Sequence, residues 1–73
     1  MTMNKKVLGK NIRDLSCKVA PNVAAFAWSL GYTKQVVYHW MNGDNAPSLE
    51  SMIRISVVYG VSIDKLVEGV ADM

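Results

Sequence analysis

Residues 22–43, NVAAFAWSLGYTKQVVYHWMNG, decide how this chain folds. Val23, Phe26, Ala27 and Leu30 fall at i, i+3, i+4 and i+7, the apolar stripe of a short helix. Gly31 ends that helix, since glycine takes the left-handed conformation after a helix without steric cost. Thr33 reads as the N-cap of the next helix, its hydroxyl placed to accept from a free amide of the first turn. That helix runs from Thr33 to about Asn42. Val37, Trp40 and Met41 face inward at helical spacing, while Lys34, Gln35, Tyr38 and His39 face the other way. Two short helices hinged at a glycine result, the second with hydrogen-bonding side chains on its outer face.

A short helix, a three-residue turn and a second such helix form a helix-turn-helix, and the second helix has the width of the DNA major groove. The pattern points to sequence-specific DNA binding. With 73 residues, 51% of them apolar and only two prolines, the chain suits one compact helical domain over 1–73. The longest uncharged stretch, Val19 to Thr33, is too short and too amphipathic to span a membrane. No apolar segment follows MTMNKK as a secretory signal would require, and a single cysteine cannot form an internal disulfide. Both features lead us to expect a cytoplasmic protein.

Net charge is +2, but the two halves differ. Residues 1–43 carry Lys5, Lys6, Lys10, Arg13, Lys18 and Lys34 against Asp14, leaving that half at +5. Residues 44–73 carry Arg54 and Lys65 against Asp44, Glu50, Asp64, Glu68 and Asp72, leaving −3. Such an asymmetry suits a protein presenting one face to phosphates, although so few charges fit a solvated surface equally well.

Three more helices complete the reading, with no convincing strand. The first runs from about Lys5 to Cys17, with Leu8, Ile12 and Leu15 on one face. Asn22 caps the second. GDNAP, residues 43–47, is dense in turn formers. Ser48 caps the fourth helix, whose inner face is predicted to hold Leu49, Met52, Ile53 and Ser56 with Ile55 and Tyr59. Gly60 stops it. Ser62 then caps a fifth helix with Ile63, Leu66, Val67 and Val70 on a stripe and Asp64 near its positive end.

In this order and spacing the segments resemble the phage repressor and Cro-like, XRE-type family of five-helix DNA-binding domains. LGKNIRDL resembles the family's first helix, and the stretch from Ala27 to Trp40 resembles its helix-turn-helix, with Ala27 where the helices cross. NGDNAPSLESMIRIS resembles the loop and fourth helix, and YGVSIDKL the start of the fifth. The likeness runs from about Leu8 to Leu66. It implies an all-α, five-helix, lambda-repressor-like fold. It further implies base reading by Lys34, Gln35, Tyr38 and His39, with Val36 beside a thymine methyl. Phosphates would be held at the start of helix two, at Asn22 and Val23, at Thr33, and by amides of the loop at Asn42, Gly43 and Asn45.

Three positions depart from the family pattern. Val23 stands where a phosphate-gripping glutamine is common. Ser16 and Met41 occupy the positions of an arginine and a glutamate that often pair, so an apolar contact is expected there instead. Asp44 lies in a loop where basic residues are frequent.

Plainer roles fit other conspicuous residues. Trp40 and Tyr32 belong to the core, Trp28 is exposed or part of an interface, and Cys17 is a small buried residue. His39 has no partner at metal-ligand spacing, and nothing indicates a cofactor or an enzyme. The expected function is a regulator binding double-stranded DNA as a homodimer, controlled by its own concentration because no sensing domain accompanies it. Val67 and Val70 are the expected dimer contact, with Val57 and Val58 as further surplus apolar residues; burial beneath the C-terminal tail is the rival account. A controller protein or antitoxin-type autoregulator would share the fold. A protein-interaction module without DNA affinity is the alternative of another class.

Overall fold

The computed structural model describes residues 2–72. Five helices follow one another: α1 (Lys5–Val19), α2 (Val23–Ser29), α3 (Lys34–Asn42), α4 (Leu49–Tyr59) and α5 (Ile63–Leu66). The architecture is all-α, as expected. One addition is a two-residue antiparallel ladder between β1 (Thr2–Met3) and β2 (Ala71–Asp72), pairing Thr2 with Asp72 and Met3 with Ala71. Two residues are too few to show an alternating pattern, so sequence could not reveal it.

The caps explain where the helices start. Asn4 accepts from the amides of Lys6 and Val7, Asn22 from Ala25, Ser48 from Ser51 and Ser62 from Lys65. Each satisfies a first-turn amide that has no partner within its helix. Thr33 is the exception: it occupies the N-cap of α3, but its side chain makes no capping bond, contrary to expectation. Its extended backbone alone starts the helix.

One core joins all five helices through Leu8, Ile12, Phe26, Ala27, Leu30, Val37, Trp40, Met41, Ile55, Leu66 and Val70. Phe26 stacks on Tyr59 with ring centroids 5.3 Å apart. Gly9 permits α1 to cross α3 closely, because a Cβ there would lie 2.6 Å from the Met41 carbonyl oxygen and nearer still to that of Trp40. Ser16 and Met41 are both buried and line the same cleft, consistent with the uncharged replacement of an ion pair.

Three further sequence expectations fail. Leu49 is 69% exposed and Ile53 is also on the surface, because α4 meets the core through Ser51 and through the expected Ile55, Met52 and Tyr59. Helix α5 ends at Leu66, and turns carry the chain on through Gly69 at φ 76°. Those turns tuck Val70 into the core at 4% exposure and leave Val67 half-buried against it, so Val70 is no surface contact. Cys17 is exposed rather than buried. Its position on α1 faces away from Leu8 and Ile12.

Candidate nucleic-acid interface

The turn before α3 is fixed from several directions. Gly31 adopts φ 81°, and the amides of Leu30 and Tyr32 both donate to the Ala27 carbonyl while that of Gly31 donates to Trp28. From α4, the Arg54 guanidinium donates to the Leu30 carbonyl at 3.0 Å and lies over the Tyr32 ring. Tyr32 meets Trp40 edge to face, and its hydroxyl pairs with that of Ser51 at 2.7 Å. Both aromatics are therefore packing residues, as expected. With Val37, Trp40 and Met41 buried beneath it, α3 has no freedom to rotate.

What this rigid helix presents is polar. Lys34, Gln35, Tyr38 and His39 are all exposed along its outer side, with Val36 partly exposed among them. The open Thr33 hydroxyl stands at its start.

The positions expected to face phosphates divide into two groups. At the start of α2, the Asn22 side-chain oxygen accepts from Ala25 at 2.8 Å, which leaves its NH2 group available as a donor. The Val23 amide has no acceptor among the described residues, and the Val23 side chain is half-buried against the core. The loop after α3 behaves differently. The Gly43 amide donates to Trp40 at 3.2 Å, and those of Asp44 and Asn45 donate to His39 at 3.0 and 3.4 Å. These amides close the end of α3, so the expectation that the Gly43 and Asn45 main chain grips phosphate is corrected. Only side chains remain for that purpose there, those of Asn42 and Asn45, both exposed.

Helix α1 adds residues that the sequence reading left unassigned. Lys6, Lys10 and Arg13 line a shallow cleft together with Asp14, Met41 and Asn42, beside the end of α3. Gly43 approaches α1 closely enough that a Cβ would stand 2.9 Å from the Lys6 side chain. Lys10 is also 3.6 Å from Asp14, an exposed pair that leaves the lysine free to exchange partners. Their spacing at i, i+4 and i+7 is the sequence signal for this cluster, which a charge balance over halves of the chain does not reveal. Asp44 likewise acquires a partner: its Oδ2 lies 3.2 Å from His39 Nδ1.

The sequence matches the helix-turn-helix family over residues 24–66, more than half of the chain. The chain belongs to that family. Membership makes it, in general terms, a DNA-binding transcriptional regulator. Among solved structures it is similar to an SOS-response transcriptional repressor, LexA, from Eubacterium rectale. That likeness has 16% identity and a TM-score of 0.79 and covers 96% of this chain and 78% of the other, which establishes the common fold. It is also similar to hydroxypropylphosphonic acid epoxidase from S. wedmorenis, at 29% identity and a TM-score of 0.78. There the match covers 92% of this chain but 36% of the epoxidase, so the chain corresponds to about a third of that protein. No curated protein sequence matches it. Among the described residues no helix is long and apolar enough to cross a membrane, and no group of three or more His, Cys, Asp or Glu could hold a metal ion.

Proposed function

We propose that this protein is a sequence-specific, Cro-like repressor that binds a pseudo-palindromic operator as a homodimer. The observation that carries the reading is the outer side of α3, four exposed hydrogen-bonding side chains on a helix locked against rotation. Gln35 pairs with adenine and Lys34 donates to guanine, while Tyr38 and His39 read neighbouring edges. Asn22, the Val23 amide, the Thr33 hydroxyl and the side chains of Asn42 and Asn45 hold phosphates. Lys6, Lys10 and Arg13 extend that grip along α1. A controller protein or an antitoxin-type autoregulator would use the same surfaces.

One helix reads a short half-site, so specificity calls for two copies. With Val70 in the core, the exposed apolar side of α4 supports the dimer better: Val57 is 76% exposed and Val58 lies next to it on the surface.

Selection of bound sites from random DNA tests the proposal. The expected result is a two-fold-symmetric motif with half-site centres one helical turn apart, ~34 Å. No enrichment, with no DNA affinity even at low salt, would sink it. That outcome would favour a protein-interaction module, a reading supported by Val23 and by Asp44.

A further inference from the structure

His39 is the single histidine of the chain and sits at the C-terminal end of the reading helix. Its surroundings restrict it. Gly43 takes φ 80° and turns the chain back, so that the Asp44 amide donates to the His39 carbonyl. The same reversal lays the Asp44 carboxylate beside the imidazole, Oδ2 to Nδ1 at 3.2 Å. Residue 44 is thus joined to residue 39 twice, once through the main chain and once through the side chain. Both side chains are more than half exposed, so the pairing contributes nothing to the core. Other charges on the surrounding elements are Lys34 on α3 and Lys5, Lys6, Lys10, Arg13, Asp14 and Lys18 on α1, while α2 has none. Among the described residues, Asp44 is the ion-pair partner of the ring.

A carboxylate only accepts hydrogen bonds, so the ring nitrogen facing it must carry the hydrogen. Neutral imidazole has one N–H. With that hydrogen on Nδ1, Nε2 retains its lone pair and can only accept.

We propose that Asp44 is a positioning residue that holds neutral His39 protonated at Nδ1, so that Nε2 meets the major groove as an acceptor and selects a base bearing an amino donor. The inference rests on the reading that α3 contacts base edges. In the major groove adenine N6 and cytosine N4 supply amino donors, whereas guanine N7 and O6 and thymine O4 are acceptors. The base facing His39 is therefore adenine or cytosine, and guanine and thymine are rejected. Without the carboxylate the hydrogen can move to Nε2, and His39 then donates to guanine as well. An acid that weakens attraction to phosphate thereby supplies discrimination among bases.

Two measurements on the full chain test this. The first is nitrogen NMR of the imidazole at pH 8 without DNA, where a lone histidine gives unambiguous signals. Wild type should show hydrogen on Nδ1, and Asp44→Ala should move it toward Nε2. Hydrogen on Nε2 in wild type, or an unchanged tautomer in the variant, overturns the proposal. The second measures binding to operators carrying each of the four bases at the position where His39→Ala loses discrimination. Asp44→Ala should cut the preference for adenine or cytosine there by roughly fivefold, the effect of one hydrogen bond, and leave preferences elsewhere intact. An unchanged preference in Asp44→Ala overturns the specificity role. If His39→Ala discriminates like wild type at every position, His39 reads no base and the underlying assignment fails, whatever the tautomer.

Discussion

Helices α3 and α4 each lay one side on the same core and leave the other to solvent, yet their free sides are chemical opposites. Beneath α3 lie Val37, Trp40 and Met41, and its outer side carries Lys34, Gln35, Tyr38 and His39. Beneath α4 lie Ser51 and Ile55, and its outer side carries Leu49, Ile53 and Val57, one turn apart and all exposed. A polar outer side suits water or a groove lined with donors and acceptors. An apolar ridge in water is a cost that association with another surface removes. Exposure alone thus separates the two proposed roles, contact with DNA for α3 and contact with a second copy for α4.

Substitutions can break this contrast, and the largest effect is expected beneath α4. Ile55→Ala should cost ~2–5 kcal/mol in urea denaturation, because Ile55 has no exposed surface and its truncation leaves a cavity. Ile53→Ala, one half-turn away on the outer side, should stay within about 0.5 kcal/mol. Equal losses would mean that α4 has no free side.

On α3 the effect should appear in binding and not in folding. Gln35→Ala should leave the denaturation midpoint unchanged and cost ~1–3 kcal/mol on the preferred operator. The same loss on random DNA would show that Gln35 does not read sequence.

Val57→Asp sharpens the other half of the contrast. Circular dichroism should show a folded chain, sedimentation should show a monomer, and operator affinity should drop ~10-fold. A folded variant that still pairs would move the dimer contact off this ridge. The smallest effect is expected on α1. Lys10→Ala should weaken binding evenly across sequences and reduce the slope of log affinity against log salt by about one. A loss confined to one sequence would remove Lys10 from the phosphate contacts.

Sequence disclosed α3 well and α4 poorly, for a definable reason. On α3 apolar and polar residues segregate cleanly around the helix, so periodicity names the buried side. On α4, apolar residues stand all round, at 49, 52, 53, 55, 57 and 58, and no side stands out until the neighbouring helices are in place. Leu49 and Ile53 therefore lie on the surface although periodicity points them inward. Val70 was misplaced because the stripe assumed a helix that continues, while the chain leaves helix after Leu66. The exposed side chains on α3 follow from local pattern. The used amides of the loop and the His39–Asp44 pair depend on how Gly43 folds the chain back, which residue types alone do not specify.

The two ends of the described chain are tied together. The Asn4 amide donates to the Val70 carbonyl at 2.8 Å, β1 pairs with β2, and the Asn11 side chain donates to the carbonyls of Leu66 and Glu68. In topological terms the backbone is nearly a ring. Closing so long a loop is entropically the last step to be rewarded, so hydrogen exchange at Asn4 and Val70 should report one shared opening event. A ring also has no obligatory starting point. A short peptide joining the ends, with the backbone cut instead at the exposed turn of Gly60, should yield a circular permutant that keeps α1 through α4 intact.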